Sequence, residues 1–274
     1  MSAWKEAPEP PPPSLPRLAL ALARMLPMAV VIYGLLAVLV LVRLAESPFR
    51  ARPVSPLIVQ AACRASLLIL GLPISVEGKP MRHPGAIVAN HASWLDIFTL
   101  NAAARVFFVS KAEVSRWPGI GIVARGTGTL FIERRPSHAR QQQALFERRL
   151  LRGDRLLFFP EGTSTDSRRV LAFKSTLFAA FFAPALKETL WIQPVSVIYH
   201  APGGADPRFY GWWGDMTFGP HFLSVLGARP QGRVEILFHD PVRVADFSDR
   251  KALARHCEET VRKAHAARLD PAAA

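Results

Sequence analysis

The sequence predicts an α/β fold: a mixed, largely parallel sheet flanked by helices, with an N-terminal membrane-associated helical segment. Three observations predict it. After Leu72, strand-like runs alternate with helical patterns, as in a sheet covered by helices. Between Leu26 and Val42 the chain runs for 17 residues without a charge. Histidine, carboxylates and cations follow directly after several of the apolar runs, which is where ligands sit in α/β sheets.

In chain order, residues 1–19 form a tail containing "EAPEPPPPSLP", too rich in proline to pack. Residues 20–73 hold the membrane-associated helices. The uncharged run "LPMAVVIYGLLAVLVLV" (26–42) is at the lower limit for crossing a bilayer, so it either spans or dips. The charge at Arg43 and the lack of an A-x-A site weigh against a cleaved signal peptide. "LIVQAACRASLLILGL" (57–72) carries Gln60 and Arg64 on one helical face. Burying an arginine at mid-bilayer costs about 3 kcal/mol on insertion scales. A helix lying in the interface, or packed under the domain, costs less. Arg43, Arg50 and Arg52 after the first segment outnumber Arg17 and Arg24 before it, which places the following domain in the cytoplasm on an inner, cytoplasmic membrane.

Residues 74–274 are expected to form the α/β domain. Strands are predicted at "ISVEG" (74), "AIVAN" (86), "RVFFVS" (105), "TLFIE" (129), "RLLFF" (155), "WIQPVSVIY" (191) and "RVEILFH" (233). Helical patterns lie near 93–103, 137–152, 174–188 and 248–268. The run "LFAAFFAPAL" (177–186) suits helix core better than an acyl groove.

Charge and composition narrow the partners. Lys and Arg number 34 against 21 Asp and Glu, a net charge of +13 that implies an anionic partner. Half the residues are hydrophobic, which favours a membrane surface over nucleic acid, and the aromatic–basic interleaving of a nucleic-acid binder is missing. Cys63 and Cys257 have no metal or redox spacing, and the remaining histidines lack metal-ligand spacing.

The chemistry concentrates in a few stretches. In "IVANHASWLDIF" (87–98), Asp96 follows His91 by five residues, so the two would not share a face of one helix. They meet if His91 lies in a turn and Asp96 in the first turn of the next helix, with Ser93 as N-cap and Asp96 at N3. That makes a base oriented by a carboxylate, without G-x-S-x-G to supply a serine. Such a pair suits a nucleophile that is a hydroxyl of the substrate. "LLFFPEGTSTDS" (156–167) presents Glu161, Gly162, Thr163 and Ser164 at a strand end, where the Gly162 N–H could meet an oxyanion or phosphate, or simply close a turn. Lys111 and Arg134, at two more strand ends, look like a phosphate-binding crescent. Gly119-x-Gly121-x-x-Ala124 mimics a dinucleotide fingerprint, but Pro118 precedes it instead of a strand.

Together these stretches resemble the glycerolipid acyltransferase family, best known for 1-acyl-sn-glycerol-3-phosphate acyltransferases. The family's N-H-x-S-x-x-D matches Asn90, His91, Ser93 and Asp96. G-x-x-F-I-D/E-R matches Gly128, Phe131, Ile132, Glu133 and Arg134, and F-P-E-G-T-S matches Phe159 through Ser164. A weaker fourth motif matches Gln193, Pro194 and Val195. The chain departs from the pattern at Ser175-Thr176, where the family has a glycine after Phe-Lys.

The resemblance implies that His91 is general base, Asp96 orients it, and the acceptor hydroxyl attacks an acyl thioester, acyl-CoA or acyl carrier protein. Asn90, Ser93, Lys111, Arg134, Glu161, Gly162 and Thr163 would bind substrate, with Arg134 and Lys111 on a phosphate, and no metal or other cofactor is expected. The favoured acceptor is lysophosphatidic acid, giving phosphatidic acid. The alternative is a lyso-ornithine lipid, whose amine Asp215 of "YGWWGDM" (210–216) would pair. A non-catalytic lipid-binding protein is the rival of another class, and it would not require the His91–Asp96 pair.

Overall fold

The computed structural model describes residue 7 and residues 9–46, 54–132 and 139–270. Helices α1 (Leu15–Glu46) and α2 (Ser55–Leu70) come first, so residues 15–19, expected in the tail, are helical. Then follow β1 (Ile74–Glu77), β2 (Gly85–Ala89), α3 (Asp96–Ala103), β3 (Phe107–Lys111), α4 (Ile120–Thr127) and β4 (Leu130–Ile132). The second half holds α5 (Ala139–Leu151), β5 (Leu156–Phe158), α6 (Pro184–Lys187), β6 (Trp191–His200), α7 (Phe218–Leu226), β7 (Arg233–Phe238), β8 (Val242–Arg243) and α8 (Arg250–Leu269).

The sheet order is β1-β7-β6-β2-β5-β3-β4, with β8 also on β6. β6, β2, β5, β3 and β4 run parallel; β7 and β8 are antiparallel to β6, and β1 follows β7. The ends of the five parallel strands therefore share one edge, as the sequence required of its site. β2 is buried throughout because helices cover both faces: Ile87 and Ala89 enter one apolar core, Ala86 and Val88 the other.

Two helices went unread in the sequence because glycine and proline normally break helices. α4 starts after Gly119 and contains Gly121 and Gly126. A Cβ on Gly126 would stand 2.3 Å from Leu36 Cδ1 of α1, so glycine there is what lets the two helices touch. α7 carries Pro220 in its first turn, where no intrahelical N–H is needed. The pattern at 174–188 is a 3-10 segment (Ser175–Phe182) followed by α6. Ala183 between them is extended, as the residue before a proline tends to be. Phe178 and Phe181 pack against Phe158 and Phe146, so this segment is core.

The N-terminal helices are fastened to the domain. Gln60 and Arg64 donate to the carbonyl of Ala102 at 3.1 and 2.9 Å, covering the end of α3. Arg64 is thus packed against protein, which resolves its cost in lipid. Glu46 accepts from Val54 N–H at 2.8 Å and from Ser55, capping α2. Arg24 donates to Leu226 O and Ala228 O, each at 2.8 Å, at the end of α7, and Arg43 donates to Thr127 O at 2.8 Å at the end of α4. The opposite side of α1 shows Leu22, Leu26, Val30 and Leu41 at helical spacing, all exposed. α1 is long and apolar enough to cross a membrane, and 11% of its most apolar window is buried.

Two buried histidines set an acid limit on this packing. His221 in α7 accepts from Trp94 Nε1 at 3.0 Å, and burial pushes it down to about 4. Burial likewise pushes His265 in α8 down to about 4. Both are depressed from the ordinary 6.5, so the unfolded chain binds more protons between the two values. Their contribution to stability is full above about 6.5 and is lost as pH falls toward about 4. The thermal unfolding midpoint should drop across that window, but less than the two histidines alone would give. Burial raises Glu161 from 4.5 to about 8, and that carboxyl gains stability as pH falls. A flat profile contradicts the drop.

Candidate active site

β2 ends at Ala89, and the chain turns through Asn90, His91, Ala92 and Ser93 before α3 starts at Asp96. His91 Nδ1 and Asp96 Oδ2 are 2.7 Å apart. Asp96 is fully buried while His91 is 22% exposed, so a substrate can reach the imidazole but not its carboxylate. The same Oδ2 accepts from Ala92 N–H at 2.9 Å and Ser93 N–H at 3.1 Å. Oδ1 accepts from the Tyr199 hydroxyl at 2.6 Å. The imidazole lies flat on Phe159, with ring centroids 4.0 Å apart and planes 9° apart, and Phe108 stands behind Phe159. A hydrogen bond, a stack and a hydrogen-bonded turn fix the ring, leaving its far nitrogen for a proton.

Only half of the expected capping box forms. Asp96 reaches back to the Ser93 N–H, but the N-cap is Leu95, and the Ser93 hydroxyl is buried without a partner among the described residues. The first turn is tight, with Asp96 N–H bonding Ser93 O and Phe98 N–H bonding Leu95 O, which moves the helix start past Ser93. The Ser93 side chain, expected to meet substrate, is thus buried behind the turn.

Three more expected binding residues are engaged with the backbone. Asn90 Nδ2 donates to Val197 O at 2.9 Å and its Oδ1 accepts from Val197 N–H at 2.8 Å, tying the turn to β6 beyond the end of their ladder. Glu161 is buried, accepting from His91 N–H through Oε1 and Leu171 N–H through Oε2, each at 2.7 Å. Burial pushes its carboxyl up to about 8, against the pull of those two bonds. Glu161 thus joins the two loops of the site. The Gly162 N–H donates to Phe159 O at 3.1 Å, closing a turn with Pro160 second and Gly162 fourth. That bond takes the N–H expected to meet an oxyanion, and Gly162 has φ 72°, where glycine fits best. The loop is sewn down again where Thr165 donates from N–H and hydroxyl to His91 O, at 2.9 and 3.1 Å.

Thr163 is exposed on the rim. Lys111 ends β3 beside Ile132 of β4, exposed at the same sheet edge. Arg134, with Glu133, lies outside the described residues. Gln193 of the fourth motif is structural: it accepts from Met81 N–H and donates to Lys79 O and His239 O.

Sequence reasoning missed Tyr199 and Phe159 as neighbours of the pair. The signal for Tyr199 is period two: Val195, Val197 and Tyr199 share the strand face toward α3. The segment 210–216 also comes to the site, since Trp212 N–H donates to Ala92 O at 2.9 Å. Tyr210 and Trp213 of this segment are buried, Trp212 is half-buried and Asp215 is exposed.

The Acyltransferase family model matches residues 74–198, which holds the whole His91 turn, the Glu161 loop and nearly all of β6. A lyso-ornithine lipid O-acyltransferase of Rhodobacter capsulatus is 54% identical over 260 residues, 93% of this chain and 94% of the relative. The chain belongs to the lysolipid acyltransferase family. A 1-acyl-sn-glycerol-3-phosphate acyltransferase of Neisseria gonorrhoeae is 27% identical over 74% of this chain and 79% of its own. The crystal structure of the 1-acyl-sn-glycerophosphate acyltransferase PlsC of Thermotoga maritima shares the fold, with TM-score 0.63 and 22% identity over 91% of this chain and 94% of that one. As a lysolipid acyltransferase with an N-terminal apolar helix, the protein is membrane-associated.

Proposed function

We propose that this acyltransferase esterifies the hydroxyl of a lyso-ornithine lipid, at the cytoplasmic face of the inner membrane. The observation that carries the choice of acceptor is the 54% identity over nearly the full length of an enzyme of that name, against 27% to one acting on the glycerol phosphate. Lysophosphatidic acid, which the sequence favoured, loses to it. The contact of Trp212 with the catalytic turn supports the change, because it brings the segment holding Asp215 to the site.

In the reaction His91 takes the hydroxyl proton as the oxygen attacks the thioester carbonyl. The new C–O bond forms, the C–S bond breaks, and the imidazolium gives its proton to the departing thiolate, which leaves as the thiol and restores the neutral base. Asp96 balances the imidazolium charge. The donor is acyl-CoA or acyl carrier protein, both anionic, toward a chain of net charge +13.

The attachment of α1 supports dipping over spanning. Arg24 and Arg43, 19 residues and so about 28 Å apart along the helix, bind two helices of the same domain. A perpendicular crossing would drag α4 and α7 into the bilayer, whereas a helix lying in the interface leaves them outside it.

The test supplies lyso-ornithine lipid or lysophosphatidic acid with one acyl thioester and reads products by mass spectrometry. Acylated ornithine lipid is the expected main product; faster turnover of lysophosphatidic acid would reverse the assignment. Asp215→Asn should raise the apparent KM for lyso-ornithine lipid only a few-fold, the worth of an exposed ion pair.

A further inference from the structure

Asp96 sits on a helix of eight residues, and nothing within that helix holds its Oδ1 oxygen. The group that does is on the neighbouring central strand. β2 and β6 pair in parallel from Gly85↔Trp191 to Ala89↔Val195, and β6 then continues past the end of β2. By that register Tyr199 stands level with the turn around Ser93. Its backbone is locked on the other side too, because Tyr199 pairs with Val234 of β7. Asn90 locks the turn to the same stretch of β6 through Val197. The Tyr199 hydroxyl, fully buried, donates to Asp96 Oδ1 at 2.6 Å.

We propose that Tyr199 is a positioning residue of the acyl transfer: from its rigid strand it holds the Asp96 carboxylate in the orientation that the His91 base needs. This rests on the reading of His91 and Asp96 as the base and its partner. The chemistry fits a donor that stays protonated beside the carboxylate. Burial, joined by the nearby Asp96 charge, pushes the phenol well above its ordinary range, so the hydroxyl keeps its proton. With Tyr199 in place the carboxylate receives bonds at both oxygens: Ala92, Ser93 and His91 at Oδ2, Tyr199 at Oδ1. Without it a sealed carboxylate oxygen loses its donor, and the side chain gains by rotating toward another. That rotation disengages it from the imidazole.

Tyr210 supplies the control. Its ring lies 5.5 Å from that of Tyr199 and is equally buried, but its hydroxyl donates to Gln231 Oε1 at 2.7 Å and accepts from Gly232 N–H at 2.8 Å. It shares the packing of Tyr199 without the bond to Asp96.

The experiment is a double-mutant cycle on the full-length enzyme with lyso-ornithine lipid and an acyl thioester, alongside His91→Ala. Tyr199→Phe should lower kcat about 10- to 100-fold, the range of one charge-assisted hydrogen bond, and leave KM within about twofold. In the Asp96→Asn background the same substitution should change kcat less than about threefold, because the charge it served is gone. Tyr210→Phe should change kcat by one common factor in both backgrounds. Near-normal kcat in Tyr199→Phe, or an equal loss with and without Asp96, would overturn the proposal while His91→Ala stays inactive. An active His91→Ala would instead sink the base assignment itself. Should Tyr199→Phe unfold, 3-fluorotyrosine at position 199 keeps the ring: a better donor, it should leave kcat within about threefold, and a large loss counts against the role.

Discussion

His91→Ala is expected to remove acyl transfer while leaving fold and membrane attachment in place. The imidazole contributes little to the core: it is partly exposed, and among the described residues it stacks on Phe159 alone and bonds only Asp96 through its side chain. The bonds that hold the turn use the backbone of residue 91, through Glu161 and Thr165, and survive the substitution. What disappears is the proton acceptor for the attacking hydroxyl, worth about 10²–10⁴-fold in rate. Turnover of single-site variants at saturating lysolipid measures it. A His91→Ala enzyme within tenfold of wild type would mean that another group is the base.

Asp96→Asn tests the partner more gently. An asparagine can place its carbonyl where Oδ2 was and turn its amide toward Tyr199, whose hydroxyl can rotate to accept. The hydrogen bonds are then conserved in number, and the loss reports the negative charge that stabilises the imidazolium. Several hundredfold in kcat is expected on the general-base scale of about 10²–10⁴.

Much of this site was legible because the residues that do the chemistry are close in sequence. Five positions separate His91 from Asp96, and one turn of backbone converts that spacing into a 2.7 Å contact. Harder to read were the roles of residues whose partners lie far along the chain. Asn90 and Glu161 have the side chains of ligand-binding residues, but their partners Val197 and His91 stand 107 and 70 positions away. Nothing local tells a buried carboxylate that bridges loops from one that meets substrate. Gly162 is similar: whether its N–H faces a ligand or closes a turn depends on Phe159 O. The fold shows the same division. Continuous apolar runs such as "AIVAN" gave strands because burial on both faces needs them, while α4 stayed hidden because the use of Gly126 appears only when Leu36 of α1 packs on it.

Attachment to the membrane should be lost by changing three side chains of α1 without cutting the chain. Removing residues 1–74 is the wrong test, because Val59, Cys63, Leu67 and Leu70 of α2 are buried against the domain and their loss would open the core. Leu26, Val30 and Leu41 are 69%, 65% and 67% exposed, on the side away from the bonds of Arg24 and Arg43, so glutamate at all three leaves the packing intact. Each apolar side chain withdrawn from lipid forfeits at least about 1.5 kcal/mol, and three forfeit about 4.5 kcal/mol. That is about a thousandfold in partition before the cost of bringing carboxylates to the bilayer is counted. Basic residues elsewhere add attraction to anionic lipid that salt screens over about 3 Å at 1 M. Wild type should therefore float with liposomes at high salt, and Leu26→Glu/Val30→Glu/Leu41→Glu should stay with the soluble fraction while its unfolding midpoint holds. A triple variant that floats as wild type does would show that this face of α1 is not what meets the lipid.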